Sequence, residues 1–138
     1  MHPEAQSRIV CKFGGSSLAS AEQFRKVRAI VEADPRRRIV VPSAPGKRDA
    51  RDAKITDLLY LCHHAASIDA DFSSPFAQIV DRFAGIEREL GLATGIEAQL
   101  ERLREEFVRG VSADYAASRG EHFCGRLLAA YLDAEFVD

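Results

Sequence analysis

Apolar residues recur along this chain first with the short period of strands and then with the longer period of helices. Arg8-Ile9-Val10-Cys11 is a compact run that reads as a buried strand. After it, Phe24, Val27, Ile30 and Val31 fall on one face of a helix predicted over about Ala21–Ala33. Ser20 suits the N-cap of that helix, and Asp34-Pro35 ends it. A second apolar run, Arg38–Val41, follows at once. Strand, helix and strand in this order predict two neighbouring parallel strands joined by a right-handed crossover.

Beyond the second strand the pattern becomes helical. Gly46–Lys54 is polar, charged and poor in apolar anchors, so it reads as an exposed loop above the sheet with the composition of a disordered segment. Ile55, Leu58, Leu59 and Cys62 then share the inward face of a helix over roughly Ile55–Ala66. Ser73-Ser74-Pro75 has the features of a helix start, and Phe76, Ile79, Val80, Phe83, Ile86 and Leu90 form its stripe. Gly91–Gly95 breaks the pattern, after which Ile96, Leu100, Leu103 and Phe107 mark another helix. A last helix is predicted from about Ala113 to Asp133, with Phe123, Leu127, Leu128 and Tyr131 inward. Glu135-Phe136-Val137-Asp138 reads as the beginning of a strand, as though the chain ended inside a domain. The polar residues 1–7 are expected to be disordered, and no repeat or linker marks a second domain within residues 8–138.

Composition narrows the functional classes. At 138 residues the chain can bury one real core. A net charge of −2 argues against nucleic-acid or anionic-membrane partners, which favour basic surfaces. The basic run Arg36-Arg37-Arg38 follows a helix end, where it complements the helix dipole. Cys11, Cys62 and Cys124 are far apart and set in apolar patterns, as expected of reduced thiols in a cytoplasmic protein. No apolar segment approaches membrane-spanning length, and the N-terminus lacks a signal-peptide core.

Candidate chemistry gathers at three places. Lys12-Phe13-Gly14-Gly15-Ser16-Ser17 lies between the first strand and the first helix. Glycines remove Cβ atoms that would keep phosphate oxygens from backbone N–H groups. A helix N-terminus adds unpaired donors, and a lysine supplies charge where negative charge gathers in phosphoryl transfer. The plainer alternative is a tight turn beside a surface lysine. Ser43 ends the second strand at a position that points into the binding crevice of an α/β sheet, or serves the turn. Thr56, near the start of a helix, is a substrate contact or a cap. Glu121 is an ammonium-binding carboxylate or an exposed helix glutamate. His63-His64 point in different directions on their helix and lack a third ligand. Pro45-Gly46-Lys47-Arg48 fails the GxxxxGK[ST] pattern at Val41 and Arg48. Lys47, Arg48 and Arg51 could close over an anion, though keeping the loop soluble suffices to explain them.

Together, KFGGSSLAS, VPSAPGK…KITDLL and Ser118-Arg119-Gly120-Glu121 resemble the aspartokinases of the amino-acid kinase superfamily, in order and in approximate spacing, over nearly the whole chain. The resemblance implies a three-layer αβα, carbamate kinase-like fold, of which residues 8–138 would be the helix-rich, N-terminal, acceptor-binding part, without the nucleotide-binding half and the ACT domains. It implies transfer of the ATP γ-phosphoryl group to the side-chain carboxylate of L-aspartate, giving 4-phospho-L-aspartate, the first step towards lysine or diaminopimelate, threonine and methionine, with residues 8–138 by themselves not expected to be active. Lys12 would act on the transferring phosphoryl group, with Gly14, Gly15 and Ser16 as the adjoining cradle. Ser43, Thr56 and Glu121 would hold aspartate, Glu121 taking its α-ammonium group. ATP and Mg2+ are implied as cosubstrate and cofactor, with no protein metal ligands in this chain, and a homo-oligomer is expected. The family more often has threonine where Ser16 stands, which keeps the hydroxyl. Relatives carry serine or alanine near Cys124 and Gly125, which bears on local packing. The competing expectation is a non-catalytic half-domain that binds aspartate or a partner chain. Kinases of glutamate, acetylglutamate or carbamate are disfavoured by KITDLL together with SRGE.

Overall fold

Two parallel strands and five α-helices make up the computed structural model, which describes residues 7–138. The expectation for residues 1–7 therefore lies, apart from Ser7, outside the described residues. Strand β1 (Ile9–Phe13) leads into a single 3-10 turn (Gly15–Leu18), helix α1 (Ala21–Glu32) and strand β2 (Arg37–Pro42). Helices α2 (Ile55–Ser67), α3 (Ser73–Glu89), α4 (Ile96–Arg109) and α5 (Ala113–Leu132) follow. β1 and β2 pair in parallel, with Val10 opposite Ile39, Lys12 opposite Val41, and an irregularity between Ile9 and Val10. The pairing is the one that the strand–helix–strand pattern predicts.

Side-chain alternation divides the sheet into two faces. Cys11, Phe13, Val40 and Pro42 turn toward α1 and α5. Val10, Ile39 and Val41 remain 60%, 45% and 45% exposed on the other face, which Lys12 shares. The expectation of a fully buried first strand is corrected accordingly: helices cover one face only, and Cys11 is half-buried rather than buried. Ile30 is likewise exposed, because α1 seats only Ala21, Phe24 and Val27 in the core.

The core is a helical one. α2 packs against both α3 and α5, and α3 against α4. Phe72, Phe76 and Phe107 meet edge-to-face, as do Phe83 and Phe123. Guanidinium groups fasten α1 to its neighbours: Arg25 donates to the Glu89 carbonyl at 3.0 Å and Arg28 to the Tyr131 carbonyl at 3.2 Å. These carbonyls sit at helix C-terminal ends, where cations are favoured. His63 bonds the Val111 carbonyl at 2.9 Å and so has a structural role. Burial pushes the Cys62 thiol up to about 12. Cys124 is also raised, by burial first and then by Glu121. Both thiols are therefore protonated and unreactive near neutral pH.

Two expectations fail here. Glu135–Asp138 is not a strand: it has no strand partner among the described residues, and its anchor is Phe136, whose ring meets His122 edge-to-face at 5.3 Å and covers Gly125. A Cβ on Gly125 would come within 2.9 Å of that ring, so the glycine makes the seat. The 46–54 loop is not disordered either. Arg48 donates to Asp52 from its backbone (2.9 Å) and its Nε (2.7 Å), and Asp52 is paired in turn with Arg82 of α3. Long-range ion pairing supplies the order that apolar anchors do not.

Candidate functional site

The ends of both strands converge on one cleft. β1 delivers Gly14 and Gly15, β2 delivers Ser43, and the Ser43 amide donates to the Phe13 carbonyl at 3.0 Å, which brings the two strand ends level. Beyond them the loops interlock: the Gly46 amide donates to the Gly15 carbonyl at 2.8 Å. Neither position tolerates a side chain. A Cβ on Gly15 would stand 2.9 Å from the Ala44 carbonyl oxygen, and one on Gly46 would stand 2.7 Å from the Gly15 carbonyl carbon. Gly14 differs, since a Cβ there would meet nothing within 4 Å. The two glycines of the turn thus do different work: Gly15 admits the neighbouring loop, and Gly14 leaves its surface open.

α1 begins at Ala21 behind the expected Ser20 N-cap, whose hydroxyl accepts from the Gln23 amide at 3.4 Å, so α1 itself does not adjoin the glycines. The short 3-10 turn fills the gap, pinned by the fully buried Leu18, with the Ser17 amide donating to the Gly14 carbonyl at 3.1 Å. The unpaired amides nearest the glycines are therefore those that open the 3-10 turn.

On the opposite wall, α2 starts at Ile55, whose amide donates to the Pro45 carbonyl at 3.1 Å. Its N-cap is Lys54, and no side chain caps the helix. Thr56 is therefore not the cap, and its hydroxyl makes no hydrogen bond within the described residues. α5 closes the site. A Cβ on Gly120 would lie 2.7 Å from the Ala44 Cβ and within 3.5 Å of Leu59 and Ile55, so only glycine lets α5 approach this closely. The next residue, Glu121, is thereby carried to the rim, where it has no ion pair among the described residues.

Gly15, Ser16, Ser43, Thr56 and Glu121 line one cleft of about 410 Å³, with Ala44, Pro45, Gly46, Lys47 and Lys54. Five of the seven residues expected to form a site are thus brought together. The other two stand beside it: Gly14 is exposed at the neighbouring turn, and Lys12 lies at the end of β1 on the open sheet face, free of any ion pair among the described residues. Larger grooves exist, one of about 500 Å³ between α4 and α5 and one of about 650 Å³ around Glu135–Asp138. Neither combines glycine turns, free hydroxyls and strand ends.

Three contributors were overlooked in the sequence. Gly46 and Gly120 are close-approach residues, and their signal was their place in SAPG and SRGE. Lys54 stands beside Thr56 in KITDLL and brings a cation to the cleft. Among the described residues no group of three or more His, Cys, Asp or Glu side chains could hold a metal.

The hydrogen bonds from Arg48, with help from the nearby Arg82 charge, hold the Asp52 carboxyl well below the usual carboxylate range, against the opposing effect of its burial. A folded value below the unfolded one means that the stabilisation is complete above about pH 4 and is lost as pH falls through the folded value. Thermal melts will show wild type more stable than Asp52→Asn at neutral pH, with the gap closing below about pH 4. A gap independent of pH would show that the Asp52 charge is not what holds the loop.

This arrangement of strand ends and glycine-rich turns has a counterpart in known proteins. The amino acid kinase family model matches residues 7–138. The chain belongs to the amino acid kinase family. Within that family it is 37% identical to Aspartokinase 3 of Bacillus subtilis (strain 168), over 94% of its own length and 31% of the relative's. Against Aspartokinase 3, chloroplastic, of Arabidopsis thaliana the identity is 30%, over 94% of this chain and 24% of the relative. The chain therefore spans less than a third of the length of these relatives. Its fold superposes on Clostridium acetobutylicum aspartate kinase with a TM-score of 0.93 at 47% identity, over 96% of this chain and 30% of that one. E. coli aspartokinase III, in complex with aspartate and ADP, gives a TM-score of 0.69 at 25% identity, over 92% of this chain and 29% of that one. The amino acid kinase fold expected from the motifs is thus the fold observed.

Proposed function

We propose that the cleft is the acceptor side of an aspartate kinase, and that residues 8–138 are the N-terminal part of its catalytic domain. One observation carries the reading: Gly15, Ser16, Ser43, Thr56 and Glu121, from separate segments, line a single cleft. Its relatives supply the substrate, since they are aspartokinases, one of them in complex with aspartate and ADP. The reaction is transfer of the ATP γ-phosphoryl group to the β-carboxylate of L-aspartate, giving 4-phospho-L-aspartate for lysine, threonine and methionine synthesis.

The chemistry asks little covalent work of the protein. A carboxylate is already ionised at neutral pH, so no general base is needed, and the barrier lies in bringing two anions together in line. Glu121 receives the α-ammonium group and sets one end of the acceptor. The Thr56 and Ser43 hydroxyls, both without a hydrogen bond among the described residues, orient the carboxylates. Lys47 and Lys54 make the cleft wall cationic. Lys12 and the Gly14–Ser16 turn receive the phosphates, and any Mg2+ arrives with the nucleotide rather than on ligands of this chain.

Calorimetric titration with L-aspartate, beside an ATP- and Mg2+-dependent assay that traps aspartyl phosphate as its hydroxamate, tests the reading. Saturable binding of L-aspartate, with L-glutamate and N-acetylglutamate far weaker, is the expected result. Binding without hydroxamate would favour a module that holds aspartate and leaves catalysis to other segments. Absence of binding would leave family membership as ancestry alone.

A further inference from the structure

Helix α3 buries a charge. Arg82 is only 5% exposed and stands on the same stripe as Ile79, Phe83 and Ile86. A leucine or methionine there would complete the stripe without the desolvation cost of a cation, which amounts to several kcal/mol for an ion in a protein interior. What the guanidinium gains is a set of contacts that no apolar side chain could make. Nη1 donates to the Gly46 carbonyl at 2.7 Å and, at 3.4 Å, to the Ala19 carbonyl. Nη2 donates to the Asp52 carboxylate and, at 3.2 Å, to the Ala53 carbonyl. Only Nε finds no acceptor.

These acceptors are not scattered. Ala19 follows the 3-10 turn, Gly46 begins the polar 46–54 segment of the loop between β2 and α2, and Asp52 and Ala53 lie near that segment's end. The same loop supplies Gly46, Lys47 and Lys54 to the cleft. Apart from Arg82, one backbone hydrogen bond, Gly46 to Gly15, ties this segment to the glycine turn, and another, Ile55 to Pro45, joins the segment's two flanks. Both ends of the segment are thus fixed by one side chain that does not itself line the cleft.

We propose that Arg82 is a positioning residue: paired with Asp52, it straps the 46–54 loop against the Gly15 turn and so fixes the cleft wall that faces the acceptor. The proposal rests on the functional reading above for the identity of the ligand, but not for the strap itself. The planar fork matters as much as the charge. It reaches carbonyls on two sides at once, whereas a lysine offers one compact ammonium group.

Three variants test this: Asp52→Asn, Arg82→Lys, and the double variant Arg82→Met/Asp52→Leu. The double variant removes both charges together, because a lone buried partner would threaten folding in a single truncation. Two quantities are read on the full chain at a temperature where each variant is folded: hydrogen exchange at the Gly46 and Ile55 amides, and L-aspartate affinity. The expected result is faster exchange at both amides, with the amides of α4 unchanged, and affinity lower by about tenfold to a hundredfold, the scale of a 1 Å misplacement in a site. Arg82→Lys should rescue neither. A merely structural role would lower the melting temperature and leave the affinity of folded molecules untouched, which would overturn the proposal, as would unchanged protection at Gly46. If wild type itself binds no aspartate, the functional reading fails, and the strap is judged by amide exchange alone.

Discussion

In any preparation that forms aspartyl phosphate, Lys12→Ala will lower the rate by about 10²–10³, the usual loss when one preorganised group that stabilises transition-state charge is removed. Lys12 sits where β1 ends, two residues before a glycine whose surface is open. No carboxylate among the described residues neutralises it. An exposed cation at the mouth of a glycine turn is free to follow the charge that shifts onto equatorial oxygens during phosphoryl transfer. Because the side chain lies on the open sheet face and packs against no core residue, the substitution should leave stability within about 0.5 kcal/mol of wild type. L-aspartate affinity should also stay near wild type, since Lys12 does not line the acceptor cleft. The loss should therefore appear in kcat and not in binding. A preparation that forms aspartyl phosphate at an unchanged rate after this substitution would remove Lys12 from the mechanism.

Glu121→Ala will weaken L-aspartate binding by about 1.5–3 kcal/mol, or roughly ten- to 150-fold, the range for a hydrogen bond to a charged group. Its carboxylate has no ion-pair partner within the described residues, so the α-ammonium group meets a free acceptor rather than displacing one. Succinate provides the sharper comparison, being aspartate without the amino group. It should bind wild type and Glu121→Ala with nearly equal affinity, because the interaction assigned to Glu121 is absent in both. A matching loss for succinate would mean that the substitution damages the cleft as a whole, and the assignment of the ammonium group would fall. Glu121→Gln keeps the side-chain shape, so its loss reports the charge alone.

Local patterning made most of the elements legible. Period-2 and period-3.6 runs place β1, β2 and all five helices to within a few residues, because burial of one face is what forces each periodicity. The errors lie where pairing acts over distance. Gly46–Lys54 looks disordered by composition, yet Asp52 is held by Arg82, thirty residues further along the chain. The signal was available: Arg82 interrupts an apolar stripe between Ile79 and Ile86, and an arginine at such a position needs a buried partner. Glu135–Asp138 has the β-like residues of a strand but pairs with no strand among the described residues, and Phe136 instead docks on His122 and Gly125.

For the site, sequence by itself determined the chemical inventory: a lysine and glycines after one strand, a hydroxyl after the next, a threonine at a helix start and a glutamate within SRGE. Each is set by residue type and by the local element that carries it, so it can be read along the chain. Only the tertiary structure decided which of them share a space. Gly15, Gly46 and Gly120 are places where backbone meets backbone or helix meets loop at distances a Cβ would forbid. Such approaches depend on how separate segments pack: the local motif marks the glycine, and not what comes to lie against it. They bring Ser16, Ser43, Thr56 and Glu121 into one cleft and leave Lys12 beside it on the open face of the sheet.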